Sequence, residues 1–149
     1  MTQPYQRILF ATDQSENNVT ALERTAEYAN KNNIQLDILY VLDPAIAGFG
    51  NTQIELSSES LYHLEEKSIG QLEIIKRRLI ISGSSIYQVH VHLRIGDPRI
   101  IVAQEFPTEY QNDLIVLSSS RKNHLQRFFT GSVSSYVIKN AQADVVVMH

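Results

Sequence analysis

One segment of the sequence has the residue types that bind phosphate. Residues 118–132 begin with serines, continue through basic side chains and end at Gly131-Ser132, where a helical apolar pattern starts. The first N–H groups of a helix have no partner within the helix, and a glycine lets a ligand approach them closely. Three cations would add positive charge around an anion there: Arg121, Lys122 and Arg127. A Gly-Ser pair is also a common helix cap, and a basic surface loop is usually only solvated, so both interpretations stay open at this point.

A second polar pair, Thr12-Asp13, directly follows the apolar run 8–11. An acid after a first strand is also found in phosphoacceptor sites, but those sites need an acidic cluster and an Asp after the third strand. This chain has Arg94-Ile95-Gly96 there. No nucleophile pairs with a general base around Asp13, and no metal site for phosphoryl transfer can be assembled from these residues. The sequence therefore favours binding over catalysis.

Other familiar site patterns are missing or weak. The sequence has no G-x-x-x-x-G-K-[ST], and no G-x-G-x-x-G between its first apolar run and the helical pattern behind it. His90 and His92 would lie on the same face of a strand, about 7 Å apart, where two imidazoles can hold a metal. No carboxylate stands near them in the sequence. We therefore expect two solvent-facing histidines near a sheet edge, and no metal.

The elements that position these residues follow from apolar periodicity. Buried strands are predicted for four apolar runs: residues 8–11, 36–42, 114–117 and 145–148. Residues 87–95 alternate apolar and polar side chains, which predicts a strand with one wet face. Helical stripes are predicted at residues 22–29, 57–82, 100–106 and 133–141, with a loop at residues 43–56.

Capping residues support these limits. Asn17 or Asn18 can cap the first helix, and Gly83 can end the second. The segment Gly96-Asp97-Pro98 provides a turn, an N-cap and a proline at the first helical position. Strands and helices thus alternate along the chain, which predicts an α/β domain spanning residues 1–149, with a parallel sheet and helices on both faces. Ligands of such sheets bind beyond the carboxyl ends of the strands.

Composition excludes several classes of protein. The 149 residues are 43% hydrophobic and 19% charged, with a net charge of −3, which is ordinary for a globular domain and unlike a protein that binds nucleic acid in bulk. Zero Cys excludes disulfides, thiolate catalysis and Cys-based zinc sites. The first residues have no leader pattern and no apolar run approaches 18 residues, so we expect a cytoplasmic chain without nucleic-acid or membrane partners.

The segments described above resemble the universal stress proteins over essentially the whole chain. Residues 7–15 (RILFATDQS) resemble the opening strand and D-x-S turn of that family, and residues 40–41 its second strand. Residues 96–98 (GDP) are similar to its helix start, residues 131–134 (GSVS) to its G-S-V segment, and residues 143–147 to its closing strand. The resemblance implies a five-stranded Rossmann-like sheet of order 3-2-1-4-5, with the switch point between strands one and four.

Nucleotide-binding members of the family carry G-x2-G-x9-G-[ST] after strand four. The corresponding positions here are Ser118, Arg121, Gly131 and Ser132, so both leading glycines are replaced. The side chain of Arg121 either blocks the pocket or reaches over to hold phosphate. The resemblance implies a site for ATP or AMP, with Mg²⁺, formed by Thr12, Asp13 and Val41 on the adenine and ribose side and by Gly131, Ser132, Val133 and Ser134 at the phosphates.

The last strand predicts a partner. An apolar strand at a sheet edge invites pairing, and a two-fold contact would bury its valines, Val145, Val146 and Val147. The usual dimer of the family implies the same homodimer. The sequence thus leads to three hypotheses: a dimeric stress-response module that responds to nucleotide, an interaction protein of the same fold that binds none, and, ranked last, a slow ATPase.

Overall fold

The computed structural model describes residues 5–14, 18–44, 58–118 and 132–148. The five strands are β1 (Arg7–Ala11), β2 (Gln35–Leu42), β3 (Val89–Ile95), β4 (Leu114–Ser118) and β5 (Asp144–Met148). The helices are α1 (Val19–Lys31), α2 (Ser58–Ile81), α3 (Pro98–Ile100), a π-helical segment (Ile101–Glu105), α4 (Phe106–Tyr110) and α5 (Ser132–Asn140). Among the helices of these residues, none combines the length and apolarity needed to cross a bilayer.

The strands form one parallel sheet in the order β3-β2-β1-β4-β5, as predicted. From β1 the chain proceeds to β2 and β3 on one side, and it then returns to place β4 and β5 on the other. The winding direction therefore reverses between β1 and β4. Every side chain from Ile8 to Ala11 is at most 1% exposed, because β1 lies at the centre of the sheet with both faces covered.

Two apolar layers cover the sheet. One layer joins α1 and α2 to the face that presents Ile8, Phe10 and Ile38. The other joins α5 and the helical residues 98–110 to the face that presents Leu9 and Leu39. The predicted α/β architecture with helices on both faces is confirmed.

Two predicted helix boundaries are confirmed by their hydrogen bonds. The N–H of Gly83 bonds to the carbonyl of Ile80 and the N–H of Ser84 to that of Leu79, both at 3.0 Å, which ends α2. Asp97 caps α3 by accepting the Arg99 N–H at 3.0 Å, with Pro98 in the first turn.

The expected cap of the first helix is wrong for Asn18. Asn18 stands at the N-cap position of α1, but its backbone is helical and its side chain makes no capping hydrogen bond. The side-chain amide donates to Asp13 instead. Asn17, the other candidate, lies outside the described residues.

The predicted wet face of β3 is also wrong. The strand lies at the sheet edge but begins at Val89, and Tyr87 is 83% exposed rather than paired. His92 is 13% exposed, and its ring lies 4.9 Å from that of Phe106 and 4.7 Å from that of Tyr110. The helical residues after β3 enclose His92, whereas His90 and Arg94 stay partly exposed and pair with Gln35 and Tyr110.

The partner of His92 is a buried carboxylate. Asp37 is 0% exposed, two residues after the start of β2, and its oxygens accept hydrogen bonds from three side chains. Arg7 donates twice, at 2.6 and 2.8 Å, His92 donates from Nε2 at 2.8 Å, and Asn112 donates from Nδ2 at 3.0 Å. One side chain thus connects β1, β2, β3 and the residues that precede β4.

The charge of Asp37 is stabilised in place. Burial alone would raise the pKa of this carboxyl, but the hydrogen bonds from Arg7, His92 and Asn112 outweigh burial and hold the pKa well below its usual range. The unfolded carboxyl has a pKa of about 3.9. The ionised group therefore stabilises the fold above that pH, and the contribution declines as the pH falls below it.

We predict that Asp37→Asn lowers the free energy of unfolding at neutral pH by about 3 kcal/mol, because Arg7 loses the carboxylate that compensates its charge. Urea denaturation across the acid range should show the native protein losing stability on acidification more steeply than the variant does. Glu73→Gln, which removes an exposed carboxylate from α2, is the control and should leave both the midpoint and the acid profile close to native. Equal profiles for the native protein and Asp37→Asn would contradict this role.

Candidate functional site

The reversal of winding between β1 and β4 places polar residues at the carboxyl ends of these two strands. Ala11 pairs with Leu117, so Thr12 and Ser118, the next residue of each chain segment, follow paired positions. Thr12 is 1% exposed and Ser118 is 5% exposed. We call this region, with Asp13 and the first turn of α5, the carboxyl-end site.

The turn after β1 is held by several hydrogen bonds. The N–H of Thr12 bonds to the carbonyl of Leu39 at 2.9 Å, which continues the sheet for one residue beyond β1. The Oγ1 of Thr12 accepts the N–H of Gln14 at 2.9 Å. Gln14 has a left-handed backbone with φ 62°, and its side chain donates to the carbonyl of Ser68 on α2 at 3.0 Å. The backbone around Asp13 is therefore fixed from both sides.

Asp13 supplies the negative charge of the site. Its carboxylate accepts a hydrogen bond from the side-chain amide of Asn18, at the start of α1. Burial, followed by the charge of Asp13, raises the pKa of Tyr40 on β2. A half-exposed carboxylate with one side anchored can accept hydrogen bonds from ligand hydroxyl groups.

The first turn of α5 faces two environments. Ser132 is exposed, whereas Val133 is 4% exposed and packs in the same apolar cluster as Val41. Ser134 is 8% exposed, and its buried hydroxyl has no hydrogen-bond partner among the described residues. A buried hydroxyl without a partner is unfavourable in a folded protein unless a water or a ligand satisfies it.

The candidate residues from the sequence fall into four groups, one of which is the pair Ser132 and Ser134 in the first turn of α5. Thr12, Asp13 and Ser118 lie together at the ends of β1 and β4. Val41 and Val133 are core side chains, so only their backbone or the edges of their side chains can meet a ligand. Arg121 and Gly131 lie outside the described residues.

Some chemistry is missing from the described part of the chain. No group of three or more His, Asp and Glu side chains is arranged there to hold a metal ion. The two histidines of β3 have other partners: Nε2 of His90 lies 2.7 Å from the Gln35 side chain, and His92 bonds to Asp37. The described residues of the carboxyl-end site offer hydroxyl groups, a helix start and one carboxylate, which suits binding of a polar ligand.

Sequence analysis missed Asp37 and Asn112. The signal for Asp37 was present, since it is the single charged residue inside the otherwise apolar run 36–42. An acid in a strand buried on both faces requires donors from neighbouring strands. The donors, Arg7 and His92, are far away in the sequence, so only the strand register identifies them.

Comparison with known proteins gives a consistent family. The model of the Universal stress protein family matches residues 4–149. A putative universal stress protein of Staphylococcus aureus strain USA300 is 28% identical over 145 residues, which cover 97% of this chain and 84% of the relative.

Solved structures share the fold. A universal stress protein in complex with cAMP is 20% identical, with a TM-score of 0.68, over 99% of this chain and 98% of the other. A universal stress protein from Archaeoglobus fulgidus in complex with dAMP is 24% identical, with a TM-score of 0.62, over 99% of this chain and 100% of the other. At these identities the likeness establishes a common fold.

We predict that Thr12→Val lowers the free energy of unfolding by about 1 kcal/mol, because the N–H of Gln14 loses its acceptor while the side-chain volume is kept. Urea denaturation measures this change. Thr20→Val, the same substitution at an exposed position of α1, is the matched control and should stay close to native. If Thr12→Val is as stable as the control, the hydroxyl does not hold this turn.

Proposed function

Because the chain belongs to the universal stress protein family, we propose that it is a regulatory binding module whose carboxyl-end site takes an adenine nucleotide, ATP or AMP. The observation that carries the proposal is the reversal between β1 and β4, with Thr12, Asp13 and Ser118 at the strand ends. Open parallel sheets bind their ligands at such a position. Two proteins of the same fold hold cAMP and dAMP, which supports the choice of ligand.

We assign the sides of the nucleotide as the resemblance to the family implies. Asp13 would accept hydrogen bonds from ribose hydroxyls, with Thr12 and Val41 bordering the adenine and ribose. The segment Gly131 to Ser134 would meet the phosphates, because the first turn of a helix presents N–H groups and the positive end of its dipole. The hydroxyl of Ser134 would gain the partner that the described residues do not give it. Mg²⁺ would accompany ATP through its phosphates.

The bound nucleotide would act by shifting a conformational equilibrium. A ligand that binds one arrangement of the neighbouring segments more tightly than another increases the population of that arrangement. Occupancy of the site would in this way change which partners the protein binds. We place this activity in the cytoplasm.

A second function of the same fold is an interaction module with no nucleotide. The replacement of both leading motif glycines by Ser118 and Arg121 favours it, since a side chain of that size can occupy the path of the ligand. The variant Arg121→Gly tests whether the arginine obstructs the pocket or holds phosphate. Tighter AMP binding would mean that Arg121 obstructs the pocket, and weaker binding that it holds phosphate.

Catalysis is the least supported role. Asp13 is the one carboxylate that we place at this site, and no nucleophile pairs with a base among its described residues. Hydrolysis of ATP at several turnovers per second, lost in Asp13→Ala, would overturn this ranking.

We also propose a homodimer through β5. The strand lies at the edge of the sheet, with Val146 42% exposed. Beside it, a largely apolar groove of about 310 Å³ is lined by Tyr5, Tyr28 and Met148, among others. Antiparallel pairing of β5 with its copy would satisfy the outer backbone groups and cover this surface.

We predict that AMP and ATP bind to the native protein and that Ser132→Asp weakens binding at least tenfold, because a carboxylate at the helix start repels phosphate. Isothermal titration calorimetry with and without Mg²⁺ measures both. Ser82→Asp, which adds the same charge at an exposed position just beyond α2, is the control and should bind like the native protein. No heat at millimolar nucleotide would favour the interaction module instead.

For the dimer, we predict that Val146→Asp converts it to monomer, because a buried unpaired carboxylate at the two-fold contact is unfavourable. Sedimentation velocity distinguishes the two states. Ile86→Asp changes an apolar side chain that is also exposed, at 56%, and should remain dimeric. A dimer that survives Val146→Asp would place the contact elsewhere.

A further inference from the structure

A groove of about 550 Å³ lies at the amino ends of β4 and β5, on the opposite side of the sheet from the carboxyl ends of the strands. Its residues come from the helical run before β4 and from the segments that enter β4 and β5. We call it the amino-end groove. Its apolar lining comes from Ala103, Pro107 and Ala143, and its polar lining consists of Gln104, Thr108, Gln111, Asn112, Asn140 and Gln142.

The lining has an unusual composition. Five of its side chains are carboxamides and one is a hydroxyl, and none of the described lining residues carries a formal charge. Each carboxamide both donates and accepts hydrogen bonds. A charged ligand would lose water here without gaining an opposite charge, whereas an uncharged polar ligand would exchange its hydrogen bonds with water for equivalent ones.

Asn112 connects the groove to the buried Asp37. Its side chain is 7% exposed, and its Nδ2 donates to the buried Asp37 at 3.0 Å. That bond orients the amide, since the opposite orientation would point the carbonyl oxygen at a carboxylate. The Oδ1 of Asn112 therefore points away from Asp37, and it is buried with no hydrogen-bond partner among the described residues. It is an acceptor that requires an N–H or O–H donor.

A second carboxamide of the groove is also anchored by its amino group. The Nδ2 of Asn140, at the end of α5, donates to the carbonyl of Tyr136 at 2.9 Å, which leaves its oxygen as an acceptor. The groove surface thus offers an oriented acceptor on Asn140, together with carboxamides on Gln104, Gln111 and Gln142 that can turn to donate, while the unpartnered oxygen of Asn112 is itself buried.

The backbone of the helical run shapes the concavity. The π-helical segment Ile101–Glu105 contributes Gln104, and Pro107 cannot donate the bond that an α-helix directs at the carbonyl of Ala103. The run ends at Gln111 in a left-handed conformation with φ 58°, which turns the chain toward Asn112. Residues of this widened helix wall the groove on one side.

We propose that the amino-end groove binds a small uncharged molecule with neighbouring hydroxyl groups, a sugar or a polyol. Each hydroxyl donates one hydrogen bond and accepts others, so adjacent hydroxyls match a set of carboxamides that also donate and accept. The volume lies within the range of small-molecule sites, about 300–1,000 Å³. The proposal goes beyond nucleotide binding and does not depend on it, because the two sites lie at opposite ends of the strands.

The test is a titration of the ¹⁵N-labelled protein followed by NMR, with glucose, maltose and glycerol as probes and acetamide and AMP as separate arms. Saturable shifts of the side-chain amides of Asn112 and Gln142 are expected with at least one sugar or polyol, with a dissociation constant on the order of 1 mM. Gln142→Ala is expected to weaken binding about tenfold. Gln142 is exposed, so this variant keeps the fold.

Two further variants show whether binding depends on the residues of the groove or on exposed polar side chains elsewhere. Gln71→Ala removes an exposed carboxamide from α2 on the other face of the sheet and should bind like the native protein. Thr108→Val should weaken binding without loss of stability, since Thr108 is exposed. Saturation by acetamide alone, shifts that stay linear for every sugar and polyol, or equal affinity in Gln142→Ala and Gln71→Ala would each overturn the proposal. Failure of AMP to bind would bear only on the carboxyl-end site.

Discussion

The position of β1 at the centre of an all-parallel sheet is the constraint on which the rest of the structure depends. Its side chains are buried on both faces. The chain leaves the carboxyl end of β1 toward β2 on one side, and β4 lies on the other side of β1. The two connections diverge at Thr12 and Ser118. Strand order therefore places the polar residues of the carboxyl-end site. Local hydrogen bonds, such as that from the Gln14 N–H to Thr12, then fix their conformation.

The same sheet has a second polar region toward the amino ends of its strands. Asp37 ties Arg7, His92 and Asn112 together within a layer that is otherwise apolar. A charge in that position costs stability unless all its donors are present, so it also fixes the register of β1, β2 and β3. Through Asn112 it orients one wall of the amino-end groove. The fold thus holds two polar regions apart, one at each end of its central strands.

Sequence patterns predicted the elements well because most of them are governed by burial. The apolar runs at β1 and β4, the end of α2 at Gly83 and the start of α3 at Asp97 each follow from local chemistry. The alternation in β3 was misjudged, because a polar side chain facing a buried carboxylate and one facing water give the same pattern. His92 shows the difference, since its partner is 55 residues away and only the strand register brings them together. The placement of Thr12, Asp13 and Ser118 followed from strand order, whereas Asn112 had no local signal.

The central claim is that the reversal between β1 and β4 creates a site for an adenine nucleotide. The most direct measurement is backbone amide shift mapping of the ¹⁵N-labelled protein with AMP. We expect saturable shifts concentrated at Thr12, Asp13, Ser118 and the first turn of α5, with the amides around Asn112 unaffected. Saturable shifts that cluster away from the ends of β1 and β4, or no shifts at all at millimolar AMP, would contradict the claim.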